Sequence, residues 1–295
     1  MMRGTDTSTK QECLASVPVE LYAEAKRAVS VDPSELDFEQ DRRDWESLSH
    51  EMRLPILAYL AVFARGTAVD LEQSSRLLPL VLERNEVDEL QCFTTLLAEK
   101  SRFHDFFETV IADVTGMRGS PERFFFFIYT YFMSTWLPET VDQALRRQND
   151  KSLIRAFFAI SAATEGVLAL SGYSIVSKTL ERLDAMPVLR EQVRYQSERT
   201  ASHVAFGFHI IHQLMGEDPA NEQAIESLVD SAFGPSVGTV RDLFADYATS
   251  AVPATEAVTI TLQHLAQVDA RLQALLQPTG ISHHDLARQN TVCAS

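Results

Sequence analysis

The scarcity of helix-breaking residues limits what this chain can fold into more than any other feature. Glycine and proline occur 11 times each in 295 residues. Long segments pass without either, apolar residues recur at helical spacing, and strand-like alternation is nearly absent. Such a chain folds by packing helices. The pattern predicts a short helix over 19–29, a loop through SVDPSELDFEQ, and a long helix from an N-cap at Ser49 to about Arg84. Further helices are expected over 87–114, 121–148, 151–184, 188–215, 222–248 (kinked near Gly234-Pro235) and 256–276, with breakers at TGMRGSP, Met186-Pro187 and GEDPAN. No linker divides them, and no repeat of solenoid period is present. The expectation is all-α: one helical domain over 19–277, with flexible segments at 1–18 and 278–295.

Charge narrows the function. With 41 acidic against 26 basic residues the net charge is −15, and no basic patch is visible, which argues against nucleic-acid binding. Cys13, Cys92 and Cys293 are odd in number, widely spaced and without Cys-x-x-Cys pairing, as suits a reducing cytoplasm and not a disulfide scaffold. The most apolar run, FFFFIYTYFMSTWL over 124–137, spans about 14 residues, short of the ~20 a bilayer requires. It reads as a buried helix, and no membrane span is expected. The polar N-terminus has no apolar core like that of a signal peptide.

Two Glu/His pairs suggest metal chemistry, Glu99 with His104 and Glu198 with His203. A chelating pair on a helix needs a spacing of three, which turns the chain by about 300°. Both pairs are five apart, so their side chains diverge by roughly 140°. Neither pair can hold one metal on a regular helix. His209 and His212 have the right spacing but no accompanying carboxylate or cysteine, and read as ordinary half-buried or surface histidines. His104 with Glu108 reads as a surface pair, and His283-His284 as part of the exposed tail. No Gly-x-Ser-x-Gly, Walker or dinucleotide signature occurs.

The segments LYAEAKRAVSVDPSELDFEQDRRDWESLS, FARGTAVDLEQSSRLLPLV, FTTLLAEKSRFHDFF, ATEGVLALSGY and ASHVAFG resemble, in order, the ligand-binding oxidases related to the ribonucleotide reductase small subunit. The likeness runs from about residue 20 to 215. It implies a ferritin-like helical bundle with extra N- and C-terminal helices, a Mn/Fe or Fe/Fe centre, a bound fatty acid and a homodimer. Carried over position by position, the family's six metal ligands fall on Thr67, Lys100, Phe103, Glu165, Thr200 and His203. Only Glu165 and His203 keep ligand chemistry. The family's crosslinking tyrosine falls on Ile160, with Val69 as its partner.

The resemblance therefore implies a degenerate centre with no metal cofactor expected, where Lys100 pairs with Glu165 beside His203 and the hydroxyls of Thr67 and Thr200. A pocket for a hydrophobic or acyl molecule is expected among Thr67, Phe103, Phe107, Phe157, Ile160 and Thr200. The rings of the 124–132 run and Phe106 are further candidates for its walls. The leading reading is a binding protein without conventional di-iron redox chemistry. Two alternatives stay open: an oxidoreductase or acid–base enzyme using Lys100, Glu165 and His203 as catalytic groups, and a partner subunit of an active paralogue.

Overall fold

The computed structural model describes residues 6–28, 32–118, 121–216 and 219–276. The first helix, α1, spans Asp6–Arg27 and so starts earlier than the 19–29 helix expected. Its first turns, DTSTKQE, are too polar in sequence to show an apolar stripe. Residues 1–5 and the tail 278–295 lie outside the described residues.

In SVDPSELDFEQ, Asp32 caps a single 3₁₀ turn, its Oδ1 accepting from the Ser34 amide at 2.9 Å. Helix α2 (Glu39–Ser47) follows, an element too short and polar to stand out by periodicity. Its acids have a structural task. Asp41 accepts the amides of Val188 and Leu189 (3.0 and 2.8 Å), and Asp44 accepts that of Met186 (2.7 Å). These are unpaired donors at the start of a later helix, α10 (Pro187–Met215).

Helix α3 (His50–Arg76) starts after an extended Ser49, as expected, although the serine side chain makes no capping bond. It stops short of Arg84. Pro79 lacks the amide that would continue the ladder, so the chain breaks at Leu77 and resumes as α4 (Leu78–Glu83). Helix α5 (Val87–Thr109) widens into a π-helical turn over Val110–Thr115. The apolar 121–148 run is several pieces, not one helix. A 3₁₀ turn at Pro121–Phe124 leads to α6 (Phe127–Tyr131), a π-helical turn at Phe132–Trp136, and α7 (Leu137–Arg147), whose start holds Pro138. The run is only partly buried: Phe124, Tyr129 and Phe132 are core, whereas Phe127 is 85% exposed.

Helix α8 (Asp150–Phe157) passes without a break into a π-helical stretch, Phe158–Ala169, and on into α9 (Leu170–Leu183). After α10 come α11 (Pro219–Asp246), which runs through Pro235, and α12 (Ala254–Leu276). The described residues contain no strand. Helices α3, α5, α8–α9 and α10 form the central bundle. Helix α1 lies on α5 and α10, while α11 and α12 cover the π-helical stretch. Two stretches, His50–Glu83 and Asp150–Leu183, are long and apolar enough to cross a membrane. Both are mostly buried against other helices, as core helices of a bundle are.

Two glycines set the spacing of this core. Gly172 admits the Phe63 ring, whose Cε1 would lie 2.6 Å from an added Cβ. Gly207 on α10 admits Ser161 of the π-helical stretch, leaving no room for a Cβ.

Candidate functional site

Three helices bring polar residues to the bundle axis on otherwise apolar stripes. On α5 the buried face runs Cys92, Phe93, Leu96, Glu99, Lys100, Phe103, Phe106, Phe107, the spacing of one helical face. On α10 it carries Gln196, Arg199, Thr200, His203, Phe206 and Gly207, and on α3 Thr67, Asp70 and Ser74. Glu165 comes from the π-helical stretch, where the wider turn re-aims side chains relative to an α-helix.

These residues join into one buried chain of charge. The Lys100 ammonium donates to Asp70 Oδ2 (2.6 Å) and Glu165 Oε1 (2.5 Å). Glu165 Oε1 also meets His203 Nδ1 (3.1 Å), and His203 Nε2 meets Glu99 Oε2 (2.9 Å). Arg199 closes the line on Glu99 through Nε (3.0 Å) and Nη2 (3.4 Å), and its Nη1 reaches Ser202 Oγ (3.3 Å). At the far end Ser74 donates to Asp70 Oδ1 (3.1 Å). Every member is buried.

Proton accounting ties the charge on the histidine to that of its two carboxylates. Carboxylates only accept, and a neutral imidazole has one N–H, yet both His203 nitrogens face carboxylate oxygens. With Glu165 and Glu99 both ionised, His203 is an imidazolium. Burial pulls its pKa down, but the bonds to Glu165 and Glu99 outweigh this, and the net shift is upward. The Lys100 pKa also rises, since Asp70 and Glu165 overcome the burial penalty. For Glu165 burial acts upward, but Lys100 and His203 hold the carboxyl below its usual range. Glu99 is likewise held low against burial by His203 and Arg199. Asp70 moves up, because burial and the nearby Glu165 charge exceed the pull of Lys100. With all three ionised, Lys100, Arg199 and His203 balance Asp70, Glu99 and Glu165.

One side of this chain borders a chamber of about 50 Å³. Asp70, Lys100, Glu165 and His203 form its polar end, while Val62, Phe63, Tyr129, Met133, Leu168 and Tyr173 make the wall largely apolar. A void of about 10 Å³ lies on the other side, between Lys100, Glu165 and His203 and the rings of Phe93, Phe157 and Phe206.

The family model for ribonucleotide reductase, small chain, matches residues 32–248. The chain belongs to the ribonucleotide reductase small-chain family. Solved structures agree in fold. A single-residue mutant of an "R2-like ligand-binding oxidase" with anaerobically reconstituted Mn/Fe cofactor superposes with a TM-score of 0.79 at 20% identity, covering 86% of this chain and 92% of that one. The same kind of protein with aerobically reconstituted Mn/Fe cofactor gives 0.76 at 20% identity, covering 87% and 91%. The ferritin-like bundle expected from the sequence is the fold observed.

A Mn/Fe pair does not fit this small-chain centre. The Lys100 ammonium stands between two carboxylates, and both His203 nitrogens are engaged by others. No group of three or more His, Cys, Asp or Glu side chains among the described residues is arranged to hold an ion.

Of the residues named from the sequence, Lys100, Glu165 and His203 do meet, and all three reach the chamber. Thr67, Phe103 and Thr200 line it too. Thr67 donates to its own helix at Phe63 (2.9 Å), so its hydroxyl does not join the charge chain. Phe157 and Ile160 line the smaller void instead. Phe107 lines neither, packing on Phe63 and Tyr173 behind the wall. Of the other rings proposed for the walls only Tyr129 reaches the chamber, and Val69 is buried away from it. The expectation of a lone surviving carboxylate is corrected to three, because Asp70 and Glu99 join Glu165.

Glu99 fails as an in-helix partner of His104, as its spacing requires, but meets His203 from another helix. Its place on the apolar stripe beside Lys100 is a signal that could have found it. Arg199, four before His203, and Asp70, three after Thr67, carry the same signal. His104 turns from Glu108 to its own neighbour across the bundle, its Nδ1 meeting the Ala64 carbonyl (3.2 Å). His209 is buried, and its Nε2 meets Glu89 (3.0 Å), a carboxylate that α5 supplies across the bundle and that Arg84 also holds (2.6 Å). The His283-His284 pair lies outside the described residues.

Proposed function

We propose that this small-chain family member is a binding protein whose metal pair has been replaced by side-chain charge, and that it holds a small molecule in the chamber without di-metal redox chemistry. The observation that carries this reading is the Lys100 ammonium seated between Asp70 and Glu165. A cation at the centre of a carboxylate cage serves the neutralising role of a metal but offers no open coordination position.

The chamber adjusts the expected ligand. An engineered apolar cavity of about 150 Å³ takes a benzene molecule, whereas this one holds about 50 Å³. As it stands it admits a few heavy atoms and not an acyl chain. A homodimer, and residence in the cytoplasm, belong to the same proposal. Sedimentation would show a dimer as twice the chain mass of 33.0 kDa.

A second reading, acid–base catalysis, is favoured by one feature: Lys100, Glu165 and His203 all border the chamber. It also requires no metal. Elemental analysis of protein made in cells supplied with iron and manganese tests the premise of both readings. Far less than one metal per chain is expected. About two equivalents would overturn them.

A further inference from the structure

The polar atoms around the chamber are unequally satisfied. Glu165 places both of its hydrogen bonds on Oε1, leaving Oε2 without one among the described residues. Tyr173 is 3% exposed, its ring held against Phe63 at 5.0 Å, and its hydroxyl has no hydrogen-bond partner among the described residues. Thr200, also 3% exposed and lining the chamber, has no hydrogen bond through its hydroxyl among the described residues either. By contrast Tyr129 on the same wall donates to the Val62 carbonyl at 2.8 Å. Buried polar groups in native proteins are nearly always paired, so an acceptor and two hydroxyls left open around one chamber point to a missing partner.

We propose that the chamber binds a small neutral molecule that both donates and accepts a hydrogen bond, a short-chain primary amide or alcohol, donating to Glu165 Oε2 and accepting from the Tyr173 hydroxyl. This rests on the reading of the centre as metal-free and names the ligand class for the same site.

Charge argues for neutrality. The chain of side chains already balances three cations against three carboxylates. A carboxylate ligand would add an unpaired buried charge beside Asp70 and Glu165, and a cation would add one beside Lys100. A wholly apolar ligand would leave Glu165 Oε2 and both hydroxyls unmet, which costs more than its burial returns at this size. A neutral donor–acceptor with a short alkyl end meets the polar groups and fills the apolar wall.

Three probes of the same shape separate these cases: acetamide donates and accepts, acetone only accepts, and acetate is an anion. Met133 lines the chamber, so protein labelled with ¹³C at the methionine methyl groups reports occupancy directly, with the resonance assigned by Met133→Leu. Acetamide should shift the Met133 methyl signal saturably, acetone, which cannot donate to Glu165, should bind at least about tenfold more weakly, and acetate should leave the signal in place. Tyr173→Phe should weaken acetamide by roughly 2–10-fold, the value of one neutral hydrogen bond. If that variant fails to fold, the comparison of probes on the unaltered chain still decides. Acetate binding as well as acetamide would overturn the proposal. So would no response to any probe, which would leave the chamber to water. Metal analysis of the same sample separates the two levels: bound metal sinks the metal-free reading as well, whereas a metal-free sample silent to acetamide sinks only the ligand class.

Discussion

An ammonium does for two carboxylates what a metal does, but it imposes a different order on their neighbours. Lys100 satisfies Asp70 and Glu165 and cannot also reach Glu99, so the positive charge that Glu99 requires comes from His203 and Arg199. Lys100, Glu165 and His203 were legible in the sequence because the flanking segments give their positions. Glu99, Asp70 and Arg199 were not. Spacing along one helix reveals only pairs on that helix, and each of these finds its charged partner on another. A similar cross-helix group at Glu89 supplies a pH test. Burial raises the Glu89 carboxyl, but His209 and Arg84 outweigh it and the net shift is downward from 4.5. A lowered acid stabilises the fold above its unfolded value, and that contribution is lost as pH falls through the folded value. Glu89→Gln should therefore lower the melting temperature at neutral pH, with the gap to the unaltered chain closing as pH drops below about 4.5.

Among the elements, the π-helical stretch Phe158–Ala169 does the most to shape the site, because it carries Glu165 and packs on α10 where Gly207 admits Ser161. The sequence announces a continuous apolar helix there but not its widening, which depends on the neighbours it must fit. The same holds for the other differences. Proline stops α3 early, and the first turns of α1 are helical without an apolar stripe of their own. Gly207→Ala should cost about 1–3 kcal/mol, because its Cβ would collide with Ser161. Adding Ser161→Gly should recover part of that loss. Denaturant melts of the two single variants and the double variant would show the coupling.

Across the whole molecule, the fold class and the order of the long helices follow from periodicity alone, since α3, α5, α8–α9, α10 and α12 each bury a face against another helix. What the whole fold adds is closure. The family match ends at residue 248, yet α12 beyond it covers the back of the π-helical stretch, with Val268 packed on Gly166. Val268→Asp would put an unpaired carboxylate in that contact and should lower the melting temperature by roughly 6–12 °C. An unchanged melt would mean that α12 is not a part of the core.

The claim that joins these scales is that the Lys100 ammonium takes the place of the metals. Equilibrium unfolding of Lys100→Met, at neutral pH and without added metal, tests it most directly. Losing the ammonium while keeping the volume leaves Asp70 and Glu165 buried without a shared counter-charge, and the variant should lose about 3–5 kcal/mol. Stability equal to that of the unaltered chain would contradict the account.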